Sequence, residues 1–263
     1  MEVIICPDEE QVGTIGAAKV AQIARQAGPG VVLGVATGSS PLATYRHLAE
    51  LQASGKLDLS QATVFALDEY VGLPLDHPES YHETIRRTVT VPLGIDPARV
   101  HVPDGSVEDL ATAGQRYEDA IAAAGGVDVQ ILGIGANGHI GFNEPTSSLS
   151  SRTRVKTLSA KTLADNARFF TDDETVPTHC ITQGIGTILD AHHTVLVATG
   201  AHKAPAIAAI VEGPLTSMWP GSALQLHRYA TVVVDEAAAE QLTMADYYKR
   251  VFDGLPDWQK LDV

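Results

Sequence analysis

An α/β fold, doubly wound about a mostly parallel sheet and forming a single domain over residues 1–263, is what this sequence predicts, and three observations carry the prediction. Strand-length apolar runs alternate along the chain with helix-length stretches, the order required by parallel strands joined through crossover helices. The runs Val31–Ala36, Asp128–Ile134 and His193–Thr199 are continuously apolar rather than alternating, as strands buried on both faces are. No long linker, low-complexity tract or internal repeat divides the chain, and 263 residues at 44% hydrophobic composition suffice for one sizeable core.

Taken in order, Glu2–Cys6 reads as a short strand, and Asp8 with Gln11 opens a helix running to about Ala27, ended by Gly28-Pro29-Gly30. Val31–Ala36 is the next strand. It gives way to Thr37, Gly38, Ser39 and Ser40, then to Pro41, which suits the first turn of a helix over Leu42–Ala53. Such a junction offers unpaired backbone N–H groups, hydroxyls and the positive end of a helix dipole to a phosphate. The same residues fit an ordinary turn with Ser40 as N-cap, and the local sequence leaves both readings open.

Thr63–Leu67 is a third strand ending in Asp68-Glu69-Tyr70. Adjacent residues at a strand end sit on opposite sides of the chain, so only one of the two carboxylates can face a cleft. His77-Pro-Glu-Ser-Tyr-His82 opens a helix; its histidines read as structural or rim residues rather than metal ligands, because no carboxylate or cysteine stands at a ligand spacing from both. Arg99–Val102 is a short strand, and Ser106-Val-Glu-Asp109 caps an alanine-rich helix ending at Gly125-Gly126.

The next run, Asp128–Ile134, breaks into glycines and then presents Asn137, His139 and Glu144 within eight positions, ending at Pro145. That is a strand feeding a loop built for a ligand. Gly135, Gly138 and Gly141 permit close backbone approach, and a histidine with an amide and a carboxylate nearby is equipped to move protons. Between Pro145 and His193 the chain holds more loop than sheet, apart from an alternating stretch that puts Arg154 and Lys156 on one strand face. Asp165–Phe170 ends a helix containing Arg168, His193–Thr199 is a strand, and Gly200-Ala-His-Lys203 leads a helix to about Val211. Tyr229–Asp235 completes the sheet before an acidic carboxyl-terminal helix.

Charge and cysteine content narrow the function. Eighteen Lys plus Arg stand against 32 Asp plus Glu, a net charge of −14, which opposes contact with nucleic acid or anionic lipid and means that an anionic ligand needs a local cationic site. The two cysteines, Cys6 and Cys180, read as buried reduced thiols without metal-ligand spacing. No signal-type stretch and no membrane-length apolar run is present in the sequence, so the expectation is a cytoplasmic protein with a small-molecule partner, no nucleic acid and no membrane.

The string Gly133-x-Gly135-x-Asn137-Gly138-His139-Ile140-x-Phe142-Asn143-Glu144-Pro145 resembles the signature of the glucosamine-6-phosphate deaminases. The resemblance extends to the Thr37–Ser40 loop, the Asp68-Glu69-Tyr70 segment, His77-Pro-Glu-Ser-Tyr81, the Arg168-Phe-Phe170 context and Gly200-x-x-Lys203-Ala204, and weakens beyond about residue 235. It implies a modified Rossmann-like architecture and conversion of glucosamine 6-phosphate and water to fructose 6-phosphate and ammonia, with no metal or redox cofactor. By position, Asp68 is the base at C2 and His139 shuttles the ring-opening proton with Asn137 and Glu144 orienting it. Thr37, Gly38, Ser39, Ser40, Arg168 and Lys203 hold the phosphate.

Many members carry aspartate where this chain has Asn137; an amide orients the histidine but leaves charge stabilisation to Glu144. The related 6-phosphogluconolactonases continue their Gly-His motif into Thr-x-Ser-Leu-Phe-Pro, unlike the Ile-Gly-Phe-Asn-Glu-Pro here. Sugar-phosphate sensors of this fold add a helix-turn-helix, which the sequence does not contain. Some deaminases are hexamers activated by N-acetylglucosamine 6-phosphate, and the positions that bind it match Ser147, Arg154, Lys156 and Thr157 here. The resemblance therefore also raises a homo-oligomer, a hexamer if the enzyme is allosteric, with a solvated strand face as the alternative.

Overall fold

The computed structural model describes residues 1–159, 162, 163, 167, 170 and 174–262. β1 (Glu2–Cys6) leads into α1 (Glu9–Ala27), where the Asp8 carboxylate accepts the Gln11 N–H at 2.9 Å and so satisfies one free donor of the first turn. β2 (Val32–Val35) is followed by α2 (Leu42–Ala53), β3 (Thr63–Ala66), β4 (Asp68–Tyr70) and α3 (Tyr81–Ile85). β5 (Val100–His101), α4 (Leu110–Ala123) and β6 (Val129–Leu132) come next, then β7 (Arg154–Thr157), β8 (His179–Thr182), β9 (His193–Ala198) and β10 (Ala230–Asp235). Shorter helices span Ile185–Leu189 and Ala204–Val211, and Ala245–Asp253 closes the chain.

Seven strands form one sheet in the order β1-β10-β9-β6-β2-β3-β5, and the neighbours pair in parallel. From β2 the chain steps outward through β3 to β5, then returns to place β6 on the other side of β2 and steps away through β9 and β10. The winding thus reverses between β2 and β6. In a doubly wound sheet that reversal opens a crevice beyond the carboxyl ends of the two strands, where their loops diverge.

Both faces of the sheet are apolar, which explains the unbroken apolar runs. Leu33, Val35, Ile131, Val195 and Val197 pack with α1 and α2 on one face. Their neighbours Leu132, Leu196 and Ala198 pack with the Ala204–Val211 helix on the other, where Val32 and Phe65 meet Tyr117 and Ile121 of α4. Burial of this kind contributes about 25 cal/mol per Å² of apolar surface and is the main force holding the layers together. Cys6 and Cys180 are buried free thiols. No helix among the described residues is long and apolar enough to cross a membrane.

The structure corrects the sequence reading in three places. Asp68–Tyr70 does not simply end the third strand: it is β4 of a second, antiparallel sheet in the order β4-β8-β7. The segment between Pro145 and His193 supplies two strands of this sheet: β7 is the half-exposed, alternating strand expected around Arg154 and Lys156, whereas β8, four residues long, is too short to read from the local pattern. Ser106 makes no capping bond, and a short 3-10 turn over Val107–Asp109 precedes α4 instead. The helix expected from His77 starts later, at Tyr81, where the Ser80 hydroxyl accepts the Glu83 N–H at 3.0 Å.

Candidate active site

The loops that follow β2, β3, β6 and β9 all leave the same edge of the parallel sheet, because parallel strands share their carboxyl ends. They carry Thr37–Ser40, Asp68, the Gly133–Pro145 loop and Lys203 respectively. The first and third flank the reversal between β2 and β6, and a methyl on Gly133 would lie 3.7 Å from Ser40 Cβ. Gly38 takes φ 92°, a left-handed conformation that turns the loop at little steric cost.

His139 lies against a floor without a side chain. A methyl on Gly135 would stand 2.4 Å from the imidazole Nε2, so glycine there is what allows the ring to lie over the backbone. The Gly135 N–H donates to the His139 carbonyl at 2.9 Å, and the His139 N–H to Asn137 Oδ1 at 3.3 Å, which closes the loop on itself. Asn137 Nδ2 donates to Glu144 Oε2 at 2.6 Å; the same oxygen lies 3.6 Å from His139 Nδ1, within ion-pair range but beyond a hydrogen bond. That Nδ1 is buried and has no hydrogen-bond partner among the described residues.

Glu144 also accepts the hydroxyls of Ser159 at 3.2 Å and Thr162 at 2.5 Å. Burial pushes its carboxyl up, but His139, Thr162 and Asn137 together outweigh burial and hold it down at about 2. The loop thus presents a permanently ionised carboxylate beside an imidazole, which can steady that ring when it carries a proton.

The two adjacent acids on β4 divide their work as strand geometry requires. Glu69 is 1% exposed and turns inward, where its oxygens accept the N–H groups of Tyr70, Tyr81 and His82 at 2.8, 3.0 and 2.8 Å. It ties the start of α3 to β4. Asp68 faces the other way, toward the Gly133–Pro145 loop, with its Oδ2 3.3 Å from where a Gly141 methyl would sit. Burial and the nearby Glu69 charge push its carboxyl up to about 8, against the hydrogen bonds of Thr182 and Phe142. A carboxylate with that value is a much stronger base than a solvated one.

Of the other residues singled out by sequence, Thr37 comes within reach of the Tyr81 hydroxyl, which is 3.4 Å from that of Tyr70. Lys203 ends a 3-10 turn over Ala201–Lys203 just beyond β9. Arg168 lies outside the described residues. His77 and His82 are structural: His77 bridges to Glu174 at 2.8 Å and stacks on Phe170, while a ring nitrogen of His82 is 3.1 Å from the Leu75 carbonyl oxygen. Ser147 is buried, and Arg154 and Lys156 lie half-buried on one face of β7, alternating with exposed Val155 and Thr157.

Sequence reasoning missed Thr182, Ser159 and Thr162. Thr182 had a signal: His179–Thr182 followed by Gln183-Gly184 is a strand breaking into glycine, the same grammar as Ile131–Gly135. Ser159 and Thr162 carried none, because their contact with Glu144 depends on a loop closing from elsewhere.

Residues 7–233 match the family described as glucosamine-6-phosphate isomerases/6-phosphogluconolactonase. The chain is 61% identical to a glucosamine-6-phosphate deaminase of Cutibacterium acnes over 95% of each protein. It is 56% identical to one of Streptomyces coelicolor over 98% of this chain and 99% of that one. Among solved structures, a monomeric glucosamine-6-phosphate deaminase superposes with a TM-score of 0.87 at 40% identity, over 92% of this chain and all of that one. A 6-phosphogluconolactonase from Trypanosoma cruzi gives 0.75 at 20% identity over 92% and 97%, a likeness of fold alone. By sequence over nearly its whole length, this chain belongs to the glucosamine-6-phosphate isomerase/6-phosphogluconolactonase family.

Proposed function

We propose that the protein is a glucosamine-6-phosphate deaminase, converting glucosamine 6-phosphate and water to fructose 6-phosphate and ammonia. One observation carries the reading: a buried carboxylate of raised basicity, Asp68, and a histidine backed by an ionised carboxylate, His139 with Glu144, belong to loops leaving one sheet edge. Aldose–ketose conversion needs that pair. His139 carries a proton from the anomeric hydroxyl to the ring oxygen and opens the sugar; Asn137 and Glu144 hold the ring for it. Asp68 takes the proton from C2 and returns it to C1, and water then adds to the C2 imine and releases ammonia. The Thr37–Ser40 loop with Lys203 and Arg168 holds the phosphate through N–H groups, hydroxyls and charge.

The lactonase reading is disfavoured by the Phe142-Asn143-Glu144-Pro145 continuation, whose Glu144 serves the histidine. The deciding assay is purified protein with glucosamine 6-phosphate and no added metal; ammonia and fructose 6-phosphate should form in equal amounts. Absence of both products overturns the reading.

We infer further that the protein works in the cytoplasm on a small amino-sugar phosphate, and that Ser147, Arg154, Lys156 and Thr157 form a second anion site for N-acetylglucosamine 6-phosphate in a homo-oligomer. What supports the second site is the pair of half-buried cations on β7, held close by strand spacing in an acidic protein.

A further inference from the structure

The side chain of Thr182 stands between the proposed base and the loop that carries the histidine. It ends β8, where its register partner on β4 is Asp68, and it is 0% exposed. Its Oγ1 accepts the Phe142 N–H at 3.1 Å. A methyl on Gly141 would come within 2.9 Å of Thr182 Oγ1 and 3.3 Å of Asp68 Oδ2, so both oxygens border one small space that glycine keeps open.

A hydroxyl has a single proton to donate. With Phe142 occupying one lone pair of Thr182 Oγ1, that proton has two buried acceptors in reach, the Gln183 carbonyl at 3.3 Å and the Asp68 carboxylate. The Gln183 contact is long for an O–H···O bond, whereas a hydrogen bond to an ionised acceptor is roughly twice as strong as a neutral one. The hydroxyl therefore turns to Asp68 while the carboxylate is charged and falls back on Gln183 when Asp68 is protonated. The Gln183 carbonyl keeps the Asn143 Nδ2 donor at 2.8 Å in either state.

We propose that Thr182 is a positioning residue for the C2 proton transfer: anchored by the Phe142 N–H, its hydroxyl orients the ionised Asp68 carboxylate and releases it as the proton arrives. Thr182 keeps its own proton throughout; the proton that moves goes from C2 to Asp68 and on to C1. The inference rests on the deaminase reading and adds a residue to it.

Other titratable groups bear on Asp68. Glu69 and Tyr70 share its strand, Cys180 lies on β8, Tyr81 on α3 and Tyr117 on α4, and His139 and Glu144 belong to the loop that carries Phe142. Burial pushes Cys180, Tyr81 and Tyr117 up, and Tyr70 to about 12, so these four stay neutral while Asp68 titrates. Glu69, His139 and Glu144 are unaltered by substitution at Thr182, so a comparison of variants isolates the hydroxyl.

Wild-type turnover of glucosamine 6-phosphate tests the deaminase reading first. Thr182→Val, which keeps the shape and removes the hydroxyl, and Thr182→Ser, which keeps the hydroxyl, are then compared with wild type across about pH 6 to 10. For Thr182→Val the acid limb of kcat/KM should move up by about one pH unit, and kcat should fall about tenfold near pH 7 with KM changed less than about twofold. Thr182→Ser should keep the wild-type limb. If the valine variant fails to fold, Thr182→Ala is judged by the same limb. An unmoved limb in the variant lacking the hydroxyl, or a serine limb displaced as far as the valine one, overturns the proposal.

Discussion

At the scale of single residues, the proposed mechanism rests on two carboxyls set far apart. Glu144 is held at about 2 and Asp68 at about 8, so near neutral pH one is a fixed charge and the other a group that takes and returns protons. The role proposed for Asp68 opposes stability. In the unfolded chain its carboxyl ionises near pH 4, whereas folded it holds its proton to about 8. The folded state therefore binds more protons between those values, and stability falls as pH rises through that window. Asp68→Asn removes the penalty, because Asn Oδ1 still accepts from Thr182 and Phe142 without carrying charge. The variant should lose at least about a hundredfold in kcat and in exchange of the C2 hydrogen with solvent, with KM little changed. It should also exceed wild type in unfolding free energy by about 1 to 3 kcal/mol at pH 9, the gap closing toward pH 4. Wild-type exchange at C2 in the variant removes Asp68 from the role of base; a gap that fails to close on acidification contradicts the burial account.

At the scale of elements, β4 is three residues long yet joins the proposed base to the fold, since Asp68 and Glu69 point to opposite sides of one strand. Glu69 spends its two oxygens on three backbone N–H groups and so fixes α3 beside the site. Glu69→Gln keeps the shape but turns one oxygen into an amide nitrogen that cannot accept. One buried N–H then lacks a partner, which costs about 1 to 3 kcal/mol and should appear as a lower melting temperature. The same change deletes the charge that helps push Asp68 up, so the acid limb of kcat/KM should move to lower pH by about half a unit to one unit, opposite to Thr182→Val. A limb that stays or rises shows that Glu69 does not act on Asp68 through charge. How much of this was legible in the sequence follows from element length. The long apolar strands, α1 with its Asp8 cap and α2 up to Ala53 were readable because periodicity and capping are local. The opposed acids were readable from strand alternation alone. β7 was readable from its alternation, but the small sheet was not, because the three-residue β4 owes its existence to pairing with β8 across more than a hundred positions; that pairing brings Thr182 to Asp68, whereas Ser159 and Thr162 reach Glu144 from a loop further along the chain.

For the whole molecule, the net charge of −14 means that every anionic ligand approaches against the field and must be caught by local cations. Arg152 is neutralised in place, between Glu118 and Asp190. Arg154, two residues on, donates instead to the Arg152 carbonyl at 3.2 Å, and burial makes its guanidinium easier to deprotonate than usual. The anion proposed to bridge Arg154 and Lys156 would supply counter-charge to both. The consequence travels through the small sheet: Arg154 stands opposite Thr182, and Thr182 opposite Asp68. A ligand bound on β7 would bear on the strand that carries the Asp68 partner, and under the proposed two-site arrangement each ligand must shift the affinity of the other by the same factor. If the second site operates, N-acetylglucosamine 6-phosphate should lower the glucosamine 6-phosphate concentration at half-saturation by about fivefold or more, the lower end of typical coupling. Lys156→Ala should abolish that response while leaving kcat at saturating substrate unchanged, since Lys156 is outside the catalytic loops. Hyperbolic kinetics indifferent to the acetylated sugar in both proteins would falsify the second site, and a response that survives Lys156→Ala would move it away from β7.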